Sequence, residues 1–148
     1  MSSFKRDLSK GKNIERRALK IVKEIWNDAR IIDGYCKEWD IYIPSENLGV
    51  EVKSDEKSKE TGNIVIETSF GGKPSAINTT KSSIWIFYTG DKFFLTTPKR
   101  IWETIKEKNY REVTFTGKGD YKSKTAYLVR KDDLVQNSIQ VLDPDLYL

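Results

Sequence analysis

A chain of 148 residues is long enough for one domain with a real core, and its single cysteine, Cys36, excludes an intramolecular disulfide. It has no histidine, which removes Ser-His-Asp triads, histidine-based metal sites and zinc sites built on His and Cys, and leaves carboxylates and lysines as the natural catalytic groups. The net charge of +4 is compatible with a polyanionic partner, no run approaches a membrane span of roughly 18 apolar residues, and the first residues lack an apolar signal core, so a cytoplasmic protein is expected.

From about Gly11 to Asn27, Ile14, Ala18, Ile21, Val22 and Ile25 recur at helical spacing, with Leu19 and Trp26 widening the apolar arc. Glu15 falls inside that arc and should face inward, where a carboxylate needs an ionic partner or a cation. The candidates are a shared metal site, a salt bridge to Lys53, or a snorkelling acid at the edge of the stripe. Arg16, Arg17, Lys20, Lys23 and Glu24 occupy the far side. Eight basic residues against two acids lie between Met1 and Lys23, so phosphate contacts would concentrate on this helix and its arm, with Lys12 and Arg16 as candidates. For Arg17, Lys20 and Lys23 a solvated helix face is the expected role.

Two short segments with a period of two follow. Trp39, Ile41 and Ile43 share one face of the first, and Leu48, Val50 and Val52 share one face of the second, which puts Glu51 and Lys53 together on the other, about 7 Å apart. The polar link Pro44 to Asn47 suits a hairpin, which would bring Asp40 beside Glu51 and Lys53. Two acids and an amine then converge. Paired carboxylates suit a Mg2+ that keeps some of its waters and still binds a phosphate oxygen. Lysine suits three roles, which the spacing leaves open: stabilising charge on a phosphate, orienting the attacking water, or acting as a base with a lowered pKa. The plain alternative is that Asp40, Glu51 and Lys53 decorate the wet face of an antiparallel hairpin.

Ser54 to Gly62 is densely charged with no apolar period and reads as an exposed, mobile loop. Ile64 to Thr68 reads as a third strand, with Glu67 either beside Glu51 at the metal or paired within the sheet. Gly71-Gly72-Lys73-Pro74-Ser75 lacks the spacing of a P-loop, yet such a turn can place Lys73 and Ser75 near a phosphate, and Ser75 is placed to cap a short helix running to about Lys81. Ile84 to Tyr88 is nearly continuous in apolar and aromatic residues, as in a strand buried on both faces. Gly90-Asp91 then turns into a partner strand, Lys92 to Thr96. Thr97-Pro98 reads as an N-cap with proline in the first turn, opening a helix with Ile101, Trp102 and Ile105 inward that ends near Asn109. A strand is expected at Thr125 to Arg130, then a polar turn at Lys131-Asp132-Asp133. The apolar tail, Ile139 to Leu148, should dock on its own domain or on a second subunit. Nothing argues for more than one domain over residues 1–148.

Trp39-Asp40 followed by Gly49-Val50-Glu51-Val52-Lys53 resembles the PD-(D/E)XK nuclease superfamily, with Trp39 where that family's proline precedes the aspartate. Gly11 to Arg16 is similar to the first helix of archaeal Holliday junction resolvases, in which a glycine precedes a helical glutamate. The stretch from Thr61 through Glu67 to Ser75 looks like nucleases encoded by bacteriophages. The resemblance implies an α/β, restriction-endonuclease-like mixed sheet flanked by helices. It implies metal ligands at Asp40 and Glu51, the carbonyl of Val52 as a further ligand, Glu15 as accessory acid and Lys53 as catalytic lysine. Mg2+, or Mn2+ in its place, would be the cofactor and DNA the partner, with water as nucleophile and a 5′-phosphate as product. Branched DNA such as a Holliday junction is the expected substrate of a homodimer, in the host cytoplasm if the chain is phage-encoded. The alternatives are a non-catalytic DNA-binding module with this fold, or a nuclease for linear or single-stranded DNA.

Overall fold

The computed structural model describes residues 3–34, 37–117 and 119–148, so Cys36 lies outside the described residues. The chain runs α1 (Ser3–Ile25), β1 (Arg30–Ile31), β2 (Ile41–Ile43), β3 (Leu48–Ser54), α2 (Ser58–Thr61), β4 (Asn63–Phe70), β5 (Lys73–Pro74), β6 (Ile84–Tyr88), β7 (Phe93–Thr96), α3 (Pro98–Glu107), β8 (Glu112–Phe115), β9 (Lys124–Arg130), α4 (Lys131–Gln136) and β10 (Gln140–Leu142). Short 3-10 turns occupy Ala76–Asn78 and Pro144–Tyr147. Six strands form a mixed sheet in the order β1-β2-β3-β6-β7-β10, in which β3 and β6 run parallel. Four more form a separate antiparallel sheet, β5-β4-β9-β8.

Alternation along the central strands explains why there are two cores. On β6, Ile86 joins Ile84 and Tyr88 on the α1 side, while Trp85 and Phe87 point to the other side. The first core packs Ile14, Ala18, Ile21 and Val22 of α1 onto Ile41, Ile43, Val50 and Ile86. The second packs Trp85, Phe87 and Phe94 against Ile64 and Ile66 of β4, Val129 of β9, Ile101 and Ile105 of α3, and Leu134 of α4. The central sheet is therefore apolar on both faces, as the Ile84 to Tyr88 run requires.

Helix α1 begins eight residues before Gly11 and stops at Ile25, whose side chain is 50% exposed rather than part of the inward arc. Arg17 also departs from the expected solvated face. It is buried, its guanidinium donating to the carbonyls of Tyr147 (3.0 Å) and Pro144 (2.9 Å) and stacking over Tyr88 and Phe93. Lys20 reaches the carbonyl of Leu148, and the Tyr147 hydroxyl donates to Glu24. The apolar tail thus docks on its own domain, with β10 added to the edge of β7.

Three further expectations are corrected. Ser54 to Gly62 is not wholly a loop: Asp55 accepts from the Val65 amide, Ser58 is fully buried, and α2 closes on Gly62 in the left-handed region (φ 76°), a conformation open to glycine at no steric cost. Lys131-Asp132-Asp133 opens α4 instead of forming a turn, its acids lying at the helix end that favours negative charge. Strand β4 is not a third strand of the central sheet, because β6 already occupies that edge of β3. The β6–β7 hairpin and α3, capped by the Thr97 hydroxyl accepting from the Arg100 amide at 3.2 Å, lie where the sequence places them. Among the described residues, no helix is long and apolar enough to cross a membrane.

Candidate active site

The β2–β3 hairpin pairs Ile41 with Val50, Tyr42 with Gly49 and Ile43 with Leu48. Continuing that register sets Asp40 across from Glu51, on the face opposite the α1 core. Here the chain leaves ladder geometry. Asp40 donates its amide to the Val50 carbonyl (3.0 Å), and its Oδ2 accepts the Val52 amide (2.8 Å) that a longer β2 would have bonded. The carboxylate substitutes for a strand, and a backbone hydrogen bond fixes its orientation.

Gly49 and Trp39 explain one another. A Cβ on Gly49 would stand 1.7 Å from Trp39 Cδ1, so only glycine admits the indole there. Trp39 stacks on Tyr42 at 4.8 Å between ring centroids and its Nε1 donates to the Lys81 carbonyl (3.4 Å), while Ser83 donates its amide to Gly49. The Trp39 ring thus ties the hairpin to the segment entering β6.

That segment forms the far wall of a cavity of about 250 Å³. Ala76, Thr79, Thr80 and Lys81 face Lys37, Glu51 and Lys53, with Trp85 also in the lining. Lys53 Nζ lies 3.2 Å from Glu51 Oε1 and 5.4 Å from the centre of the Trp85 ring. Burial pushes the Glu51 carboxyl above its ordinary value, the Asp40 charge adds to this, and Lys53 opposes it. Glu15, half-buried on α1, is raised by burial and by Asp40 against the pull of Lys37.

Lys37 is the residue that periodicity could not find. It sits in the connection between β1 and β2, where no repeat marks it, and its Nζ lies 3.0 Å from Glu15 Oε1, 3.2 Å from Asp40 Oδ1 and 3.2 Å from the Ile32 carbonyl. Burial alone would lower its pKa, but the hydrogen bonds to Glu15 and Asp40 outweigh it and hold the ammonium more firmly protonated than usual. Glu15 therefore does face the hairpin acids, with Lys37 rather than Lys53 as its partner. Thr79, Thr80 and Lys81 were equally hidden, since Ser75 does not cap a helix to Lys81. Its hydroxyl donates to Glu67 (2.7 Å), and only the Ala76–Asn78 turn follows.

Of the two roles open to Glu67, the structure shows pairing within a sheet rather than a place beside Glu51. Glu67 lies on β4 in the second sheet, held by Ser75 and by Lys124 at 3.8 Å, and does not line the cavity. Lys73 is exposed on β5, at the rim of that sheet, and likewise stands outside the cavity lining. Lys12 and Arg16 are exposed on α1, flanking Glu15 along the helix. A larger hollow of about 710 Å³ between α3 and β9, lined by Trp102, Tyr110 and Tyr127, contains a single acid, Glu103.

Asp40, Glu51 and Glu15 are hard oxygen donors whose mutual repulsion a divalent cation would relieve, which suits Mg2+ or Mn2+. Among the described residues, however, no three acids, histidines or cysteines are drawn into one metal-holding group. The acids stand in two ion-paired halves, Glu15–Lys37–Asp40 and Glu51–Lys53. No family model matches this chain, and neither a curated protein nor a solved structure matches it either, so its own residues carry the functional argument.

Proposed function

We propose that this chain is a metal-dependent DNA endonuclease with a restriction-endonuclease-like, PD-(D/E)XK arrangement on its central sheet. One observation carries the reading: the β2–β3 register sets Asp40 across from Glu51, Lys53 lies beside Glu51, and Glu51 and Lys53 line a cavity whose opposite wall offers Thr79, Thr80 and Lys81. A solvated hairpin face needs no such wall.

Asp40, Glu51 and Glu15 are the residues that would hold Mg2+ or Mn2+, and the Val52 carbonyl is a further candidate at the same strand position. When bound, the ion would polarise a phosphate oxygen and lower the pKa of a water. Lys53, 3.2 Å from Glu51, is placed to orient that water or to neutralise charge building on the phosphate. Across the cavity the Thr79 and Thr80 hydroxyls and the Lys81 ammonium suit the non-bridging oxygens of the same strand. Lys12 and Arg16, on the helix that carries Glu15, would take flanking phosphates. Branched DNA is the substrate proposed, acted on by a two-fold dimer that presents two sites to symmetric strands. That choice rests on the likeness of the first helix to the resolvases.

The deciding experiment is cleavage of matched linear, single-stranded, nicked and four-way-junction DNA with Mg2+, Mn2+ or EDTA, beside the Glu51→Gln variant. Metal-dependent cutting that the variant loses supports the endonuclease, and preference for the junction supports the branched substrate. The pairing of the acids into two lysine-held halves favours a second reading, a DNA-binding module that does not cut. That reading predicts salt-sensitive binding to all four DNAs with no cleavage in either metal.

A further inference from the structure

We propose that Lys37 is the resident cation of this site: a tethered ammonium that stands where the divalent ion would bring Glu15 and Asp40 together, and that the ion must displace. The inference deepens the metal-site reading and rests on it. Three observations point to Lys37. Its Nζ contacts one oxygen each of Glu15 and Asp40, at 3.0 and 3.2 Å, so a single positive centre joins an acid from α1 to an acid from the hairpin. Lys37 lines the cavity with Glu38 and Glu51, while Glu15 and Asp40 do not, so Lys37 is the member of the Glu15–Lys37–Asp40 group that meets the cavity. No set of three acids exists among the described residues while it remains there.

Charge balance gives the direction. Glu15 and Asp40 carry two negative charges with a third nearby on Glu51, and Lys37 offsets one of them in the absence of metal. A divalent ion entering from the cavity competes for the same oxygens. The Lys37 ammonium is held by Glu15, Asp40 and the Ile32 carbonyl, and Lys37 lies outside β1 and β2, so the ammonium can swing away without unfolding a strand. Its low side-chain exposure of 25% is the cost side of this arrangement, since the freed ammonium must find water or a phosphate oxygen.

The inference is tested by calorimetric titration of Mn2+ into the wild-type protein and into Lys37→Gln, Lys37→Arg and Asp40→Asn variants, with thermal unfolding in EDTA alongside. Mn2+ should bind Lys37→Gln about tenfold more tightly than wild type, equal to about 1.4 kcal/mol. Lys37→Arg, which keeps the competing charge, should bind near the wild-type affinity. In EDTA, Lys37→Gln should melt about 3 °C lower, and saturating Mn2+ should erase the difference. Equal or weaker Mn2+ binding by Lys37→Gln, with wild-type binding still dependent on Asp40, overturns the inference and leaves the metal site standing. Absence of binding by wild type and Lys37→Gln alike overturns both.

Discussion

Two clusters of acid, lysine and hydroxyl look alike in the sequence and differ in the fold. At the hairpin, Glu15, Asp40 and Glu51 are met by Lys37 and Lys53, and Lys37, Glu51 and Lys53 line a cavity with hydroxyls and Lys81 on its far wall. At the bulge of β4, Glu67 accepts from Ser75 and shares Lys124 with Asp120, which lies 3.4 Å from that ammonium. The second cluster is a closed account of partners within one sheet and its adjoining loops. Each has one acid more than its lysines, but the first lies on a face where another molecule can enter. Residue types and their charge balance alone therefore do not mark a site; the same chemistry beside open space does.

The sharpest way to break that comparison is to neutralise one acid in each cluster. Asp40→Asn should lower the rate of metal-dependent cleavage by about 10³-fold or more, about 4 kcal/mol of transition-state stabilisation. Asparagine keeps the oxygen that accepts from Val52, so the fold should persist, as circular dichroism would show. Glu67→Gln should leave the rate within about threefold. Equal losses in the two variants would mean that the clusters are not functionally distinct.

Much of this was legible because it depends on local period. Asp40, Glu51 and Lys53 share a face by alternation, Glu15 turns inward by helical spacing, and Thr97-Pro98 announces α3 through its capping chemistry. What stayed hidden depends on contacts distant in sequence. Glu67 has the alternation of a neighbour of Glu51, but which strand takes the free edge of β3 is decided by β6, whose run of five apolar and aromatic residues can be covered only from both sides. Arg17 looked like its solvated neighbours because its partners lie 127 and 130 residues away. Lys37 lies in a connection with no periodicity, and only the meeting of α1 with the hairpin gives it two carboxylates.

A second test sharpens the contrast from the packing side. Gly49→Ala drives a Cβ into the Trp39 ring, and the indole must leave its place between Tyr42 and the Lys81 carbonyl. A loss of about 2–3 kcal/mol in unfolding free energy is expected, read from urea midpoints. Because Trp39 ties the hairpin to the far wall of the cavity, cleavage should fall along with stability even well below the melting temperature. Stability lost with full activity retained would show that the far wall does not belong to the site.

In the second cluster, Lys124→Met should cost about 1 kcal/mol or less. Its ammonium is shared by two partly exposed acids, and the Ser75 hydrogen bond to Glu67 survives the change. Activity should not move. A loss of cleavage matching that of Asp40→Asn would place the second sheet in the mechanism.

The smallest effect is the most specific to the burial of charge beside the cavity. Burial, aided by Asp40 and opposed by Lys53, raises the Glu51 carboxyl above its ordinary value of 4.5. A raised value in the folded state means that the folded protein binds this proton more tightly than the unfolded chain does. The stability so contributed is complete below the unfolded value and is lost as pH rises through the folded one, so at neutral pH the ionised Glu51 is a net cost. Glu51→Gln is neutral throughout, and Lys53, 38% exposed, loses little with its partner. This variant should therefore be more stable than wild type near pH 7 in EDTA, by about 0.5 kcal/mol, as expected if function is held at the expense of stability. The gain should close as pH falls below 4.5, the ordinary carboxyl value. A variant less stable than wild type near pH 7 would mean that the Glu51–Lys53 pair is satisfied in the way the Glu67 cluster is, and the difference between the two regions would then reduce to the cavity alone.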